Sequence, residues 1–196
     1  MKKPSIRPAS PVTAVLRSQH IAKRVATRGF TLIELLVTIA VLAIILSLAA
    51  PNFRDFIINS RLTSQINDLV GDISLARSEA ASRGVRVTLC ASADLNTCAN
   101  SGDAWQTGRI VFVDTNANGT REATEQILKK TESLGGATTL IAAGFPNTTD
   151  LSFRPYGGLL PATGGSFLLC DPALGTGRSV VVSATGRPAA SKVTCP

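Results

Sequence analysis

Glu34 is a carboxylate standing where a carboxylate is costly. It is the fifth residue of an apolar run that opens at Phe30, directly after Arg28-Gly29, and continues to Ala50 before Pro51. As a helix, residues 30–50 would rise roughly 31 Å at about 1.5 Å per residue, close to a ~30 Å hydrocarbon core. An acid inside such a span costs on the order of 2.5–3.5 kcal/mol on insertion scales. Nothing in the run itself offers Glu34 a cation, so the acid needs a compensating role.

Two further sets of residues have chemical potential. Cys90, Cys98, Cys170 and Cys195 are an even set of thiols, all beyond the apolar run. Neither short gap has the C-x₂₋₄-C spacing of a zinc site, so two disulfides in an oxidising compartment are expected. Three connectivities are open. Pairing of sequence neighbours is favoured, because Cys90 and Cys98 bracket a polar loop while Cys170 and Cys195 bracket the C-terminal segment. Asp114, Asn116, Asn118 and Gly119, followed by Glu125, match the spacing of an EF-hand calcium loop. The context argues against it: a strand precedes where a helix is required, Arg121 sits inside the loop, and an Asn-Gly hairpin turn explains the same residues.

Catalysis is disfavoured by what is missing. His20 is the only histidine and precedes the apolar run, which removes Ser-His-Asp, Cys-His and His-zinc chemistry from the remainder. Gly175-Thr176-Gly177 lacks the third glycine of a dinucleotide loop and reads as a turn. We expect no enzymatic activity, no cofactor and no metal.

The elements that must position these residues follow from periodicity. After Pro51, Leu62, Ile66, Leu69, Ile73, Ala76 and Ala80 recur at steps of four and three, the stripe of an amphipathic helix. Arg61, Gln65, Asp68, Asp72 and Glu79 are assigned to its opposite side. One helix, kinked near Pro51, is expected from Phe30 to about Ser82, ending before Gly84. Strands are expected at 85–90, 109–113, 126–130, 138–142, 151–154, 166–170 and 179–182, with a last one near Val193. Turn signals separate them at Asn118-Gly119, Gly135-Gly136, Pro146-Asn147, Tyr156-Gly157-Gly158 and Thr163-Gly164-Gly165. The fold class is α+β, a long N-terminal helix packed on an antiparallel, β-sandwich-like domain.

The net charge of +7 invites a nucleic-acid reading that its distribution does not support. Residues 1–29 hold seven of the 20 basic residues and no acid, which leaves 13 bases against 13 acids in the rest. The excess marks a segment that stays cytoplasmic. The expected organisation is a basic leader over 1–29 that is removed, a transmembrane half-helix over 30–50, an amphipathic half over 51–83, and a periplasmic β-rich domain over 84–196.

The pattern around Gly29, Phe30 and Glu34 resembles the class III signal of type IV pilins and type II secretion pseudopilins. The resemblance implies cleavage after Gly29 by a prepilin peptidase that also N-methylates Phe30. It further implies that Glu34 pairs with the N-terminal amine of a neighbouring subunit, with other pilins and an inner-membrane assembly platform as partners. The distal domain is similar to the GspH/FimT family of minor pseudopilins and minor pilins. The similar segments are Ala76–Ala80, Arg83-Gly84, Trp105 with Gly108–Asp114, Leu169-Cys170-Asp171 and Gly177–Arg187. That family implies a non-enzymatic component of an inner-membrane-anchored filament, placed near its tip. Some members bind DNA through an arginine-rich tail. Here the tail has Arg187 and Lys192 with proline and alanines between them, so only weak, salt-sensitive contacts through Arg178, Arg187 and Lys192 are implied, with Arg83, Arg86 and Arg109 next in line. Mature protein should therefore begin with N-methyl-Phe30 when intact mass or N-terminal sequence is measured after extraction from membranes. Gly29→Ala should block the cut; retention of residues 1–29 where the peptidase is active would falsify the assignment.

Overall fold

The computed structural model describes residues 29–100 and 105–195, so most of the expected leader lies outside the described residues. Helix α1 runs Leu32–Arg83. Its helical assignment continues past Pro51, and the kink expected there lies outside the described residues. The helix stops one residue beyond the expected end. Gly84 takes a left-handed φ of 67°, and its N–H closes on the Ala80 carbonyl at 3.1 Å, the usual glycine cap of a C-terminus. The chain divides into two units, Met1–Ile44 and Ile45–Pro196. In the first, every large apolar side chain from Phe30 to Ile44 is exposed.

The second unit contains two antiparallel sheets. One has strands in the order β3 (Ile127–Thr131), β2 (Arg109–Val113), β1 (Val87–Ala91), β5 (Asp150–Phe153), β6 (Leu159–Leu160). The other has the order β4 (Thr139–Ala143), β7 (Gly165–Cys170), β8 (Thr176–Val182), β9 (Pro188–Thr194). The α1 stripe is what both sheets bury: Leu62, Leu69, Ile73, Ala76 and Ala80 have no exposed surface. They share one core with Val87, Leu89, Val111, Leu151 and Phe153 of the first sheet and Leu140, Phe167, Leu169, Val180 and Val182 of the second. Trp105, in a short 3₁₀ turn, stands edge-on to Phe167 with ring centroids 4.8 Å apart, and its indole N–H donates to the Thr148 carbonyl at 2.6 Å.

A second, smaller core of Cys90, Ile110 and Phe112 lies on the far face of β1 and β2. Both strands are therefore buried on both faces, which is why Ile110–Val113 reads as a continuous apolar run and does not alternate. β6, only two residues long, had no sequence signal of its own. β9 runs seven residues from Pro188, more than the short strand expected near Val193. Its weak alternation fits an exposed edge strand that a leading proline can begin.

Four expectations need correction. Gln65 and Asp72 do not face solvent; they form a row, seven residues apart, on the flank of the stripe that β2, β3 and the β3–β4 loop cover. Gln65 donates to the Gly135 carbonyl at 3.0 Å. The Asp72 carboxylate, fully buried, accepts from Arg109 Nε at 3.0 Å and from Thr131 Oγ1 at 3.1 Å, and lies 2.6 Å from Lys129 Nζ. Arg109 is equally buried in this pair, so it offers nothing to DNA. Asn118-Gly119 is not a tight hairpin turn, because β2 and β3 are joined by a longer connection, residues 114–126. Gly175-Thr176-Gly177 is not a turn either, since β8 begins at Thr176. A Cβ at Gly177 would collide with the Leu169 carbonyl oxygen and come within 2.6 Å of Cys195 Sγ, so the glycine makes room for a disulfide beside the strand.

Removing one partner of a buried ion pair strands the other charge, so Asp72→Ala should destabilise the domain by about 3–5 kcal/mol in urea unfolding. Asp72→Ala combined with Arg109→Met should recover most of that loss. Leu69→Ala, which removes packing alone, should cost about 2–5 kcal/mol with no such rescue.

Candidate assembly site

The N-terminal residues build a helix start of a recognisable kind. Thr31 is the N-cap: its Oγ1 accepts from the Glu34 N–H at 3.2 Å, and Glu34 Oε2 accepts from the Thr31 N–H at 3.4 Å. This reciprocal capping box gives Glu34 a second reason to stand three residues after a threonine. The sequence T-x-x-E carried that signal, and reading Glu34 only as an acid in an apolar run missed it. The carboxylate also lies in the first turn, where the helix dipole favours negative charge. Its Oε1 makes no bond among the described residues. Phe30, beside Gly29, is 82% exposed. A helix apolar on all sides needs lipid or other protein around it, and by length and composition alone Leu32–Leu48 with Phe53–Arg83 is a candidate span.

The thiols form Cys90–Cys98 and Cys170–Cys195. Within the first loop, Asp94 accepts from the Asn96 and Thr97 N–H groups at 2.8 and 2.7 Å, and these bonds hold its carboxyl far below the usual carboxylate range.

The calcium-like loop satisfies itself. Asp114 Oδ1 accepts from the Asn118 N–H, and Oδ2 accepts from the Gly119 N–H and the Thr88 hydroxyl. Glu125 accepts from the Thr115 and Glu122 N–H groups, while Asn116 Oδ1 accepts from the Asn118 N–H. These side chains cap the loop's own amides, and no group of three potential metal ligands is present among the described residues. Burial, reinforced by the Asp114 charge, pushes the nearby Asp150 carboxyl up.

The basic residues of the C-terminal part do not form one surface. Arg178 is buried and donates to the Gly177 carbonyl at 3.0 Å and the Thr63 hydroxyl at 3.2 Å, which ties β8 to α1 and takes it out of reach of a phosphate. Lys192 is exposed beside Asn59 and Thr176. Arg187 lies elsewhere, in a groove of about 680 Å³ with Arg77, Tyr156 and Leu159. Tyr156 is 71% exposed and has the Arg154 guanidinium 5.9 Å from its ring centroid. Gly186, next to Arg187 in the chain, has a φ of 75°; a Cβ there would meet the Gly157 carbonyl oxygen at 2.5 Å. Sequence reading missed the association of Arg77 and Tyr156 with Arg187. The only local hint was Arg154-Pro155-Tyr156, which reads equally well as a turn.

A long capped helix whose second half lays an apolar stripe on antiparallel sheets, and whose first half is apolar all round with one acid in its opening turn, defines a pilin-like protein. Residues 65–186 match the family described as Type II transport protein GspH, and residues 24–50 match the prokaryotic N-terminal methylation motif. The chain belongs to the GspH family of pilin-like proteins. Two crystal forms of the type IV minor pilin FimU from Pseudomonas aeruginosa have similar structures. One has 24% identity and a TM-score of 0.51, with 66% of this chain and 91% of that one covered. The other has 26% identity and a TM-score of 0.52, with 72% and 92% covered. No protein with curated function matches the chain.

Proposed function

We propose that the protein is a minor pilin or pseudopilin that assembles into a type II secretion pseudopilus or type IV pilus and initiates or caps it. In this reading residues 1–29 are the leader, cut after Gly29. Phe30 is methylated, residues 30–50 anchor the chain in the inner membrane, and the amphipathic half-helix 51–83 carries the domain 84–196 into the periplasm. The partners are the prepilin peptidase and N-methyltransferase, other pilins, and the inner-membrane assembly platform. The role is structural and the location after assembly is the filament tip. The observation that carries this is Glu34 at the mouth of a helix apolar on all sides, within a matched methylation motif. With Oε2 held by Thr31, Oε1 is left to receive an amine, and the Phe30 amine of an adjacent subunit is the cation that assembly would bring.

A second reading has one observation in its favour. Arg77, Arg154 and Arg187 gather around exposed Tyr156, an arrangement suited to a nucleic-acid backbone with a base stacked on the ring. A pilus-tip DNA receptor for natural transformation would use this groove, with Lys192 a separate and weaker contact.

For the structural role, Glu34→Leu should leave membrane insertion intact and reduce incorporation into filaments, counted by immunodetection in sheared filament preparations. Normal incorporation would sink that role for Glu34. For the receptor reading, a soluble fragment starting near Asn59 should bind DNA weakly across a salt series. Arg187→Gln should then make the salt slope shallower by about 0.7–0.9 for every phosphate that is no longer neutralised. No binding even at low salt leaves the structural role alone.

A further inference from the structure

Strands β4, β7, β8 and β9 turn one side toward α1 and the other side outward. Leu140, Phe167, Leu169, Val180 and Val182 point into the core shared with the helix. The register of the sheet lines up the outward residues in three rows. One is Ile141, Leu168, Ser179 and Ser191, and a second is Ala143, Ser166, Val181 and Ala189. The third, at the other end of the strands, has Thr139 beside Cys170 and Gly177 beside Val193. None of these residues carries a charge. The only charged residues of the four strands, Arg178 and Lys192, stand opposite each other in the ladder and fall on the helix-facing side, where Arg178 meets Thr63. An antiparallel sheet with one face in water ordinarily turns polar and charged side chains to it, whereas the centres of interfaces are depleted of charge.

The first sheet covers its outward face from within the chain: Cys90, Ile110 and Phe112 lie under Leu95 and Cys98 of the disulfide loop. On the second sheet Ile141 and Val181 stay 47% and 53% exposed. Ala143, Ala189 and Ser191 are exposed as well, and only Gly177 and Ser179 on this face are buried. At the Cys170 end lies an apolar groove of about 380 Å³, with Ile141, Leu168, Pro172, Leu174 and the Cys170–Cys195 disulfide in its walls. Its one acid, Asp171, is buried and held by Arg61 at 2.6 Å. Val181 stands in the row at the opposite end.

We propose that this face pairs with the same face of a second copy of the chain, about a twofold axis lying across the strands. Such an axis exchanges the two ends of the strands. Each copy then sets its Val181 row toward the other's groove and its Ile141–Ser191 row against itself. A second copy is the occupant for two reasons. A face without charge meets its own image with no like charges opposed, and it carries no charge pattern with which to select an unlike partner. The exposed valine and the groove also lie on one face at opposite ends, which is the arrangement a twofold requires. Four strands about 4.8 Å apart and three rows about 6.7 Å apart give roughly 400 Å² on each copy. That is about half the ~800 Å² a side of a stable soluble complex. The pair therefore forms between copies held in one membrane, where their effective concentration is high, and in this respect the proposal rests on the membrane-anchored reading above.

The test uses full-length protein reconstituted in phosphatidylcholine vesicles. The photo-cross-linking residue p-benzoylphenylalanine replaces Val181 or, as a control, the exposed Ser78 of α1. Irradiation should give a covalent dimer from position 181, several-fold more than from position 78, with the cross-link mapping to 139–141 or 168–175 of the second copy. Ser191→Lys and Ser191→Glu, both outward on an edge strand, should each lower the yield about tenfold, because the axis sets Ser191 against itself. Mixing the two charged forms in equal amounts should restore it. Equal yields from 181 and 78 mean random collision and overturn the pairing. Cross-links from 181 that map outside these segments, or that persist in both charged forms, overturn the face. In native membranes, a cross-link from 181 to a different protein with none to a second copy gives the face to an unlike subunit and also overturns the proposal. Protein that alkaline carbonate strips from the vesicles fails the anchor reading, whereas protein that stays and gives no dimer fails the pairing alone.

Discussion

Helix α1 has to satisfy two surroundings with one continuous backbone, and the rest of the structure depends on how its side chains divide between them. From Leu62 to Ala80 the helix presents a stripe with almost no exposed surface, and both sheets close on that stripe. Each fully buried Leu or Ile there is worth about 1.5–3 kcal/mol relative to exposure, and the two alanines let the sheet backbones approach. Before residue 58 the large apolar side chains face outward. No single solvent suits both halves, so the chain's organisation along its length is set by where the stripe begins.

The Asp72 cluster adds direction to this packing. Apolar contact alone would tolerate sliding of the helix over the sheet. A buried carboxylate that must meet Arg109, Lys129 and Thr131 at once tolerates little displacement. Such a pair contributes modestly to net stability because desolvation offsets its attraction, but it penalises every arrangement that leaves one charge unpaired. Arg61 with Asp171, and Arg178 with Thr63, repeat the device on the second sheet at its helix-facing edge. Arg109 and Arg178, which the sequence offers as DNA contacts, are thereby committed to holding the fold.

The acidic loop after β2 follows the same logic. Asp114 and Glu125 are placed as in a cation site, yet they accept from the backbone amides of their own segment. A long connection carrying many N–H groups needs acceptors, and carboxylates folded inward supply them. At the other end of the domain the association of Arg77, Arg154, Tyr156 and Arg187 is of another kind, because these groups gather at the surface without an acid among them.

Much was legible in the sequence because it is written in local periodicity. The apolar run with Glu34, the stripe from Leu62 to Ala80, the glycine stop at Gly84 and most strands are properties of neighbours in the chain, and family resemblance lay in the same segments. Burial of Gln65 and Asp72 could not be read that way. A residue on the flank of an amphipathic helix is buried or exposed according to how wide the covering layer is. That width is set by β2, β3 and the β3–β4 loop, whose partner groups lie 37 to 70 positions away in the chain. The two-residue β6, the length of edge strand β9 and the partition of the basic residues between ion pairs and open grooves have the same origin. Which segments are helix, strand or membrane-apolar was already settled in the chain, because backbone preference and side-chain period are local. Which charges are structural and which stay open to a partner was settled by folding, because that depends on groups far apart in the chain meeting in one place.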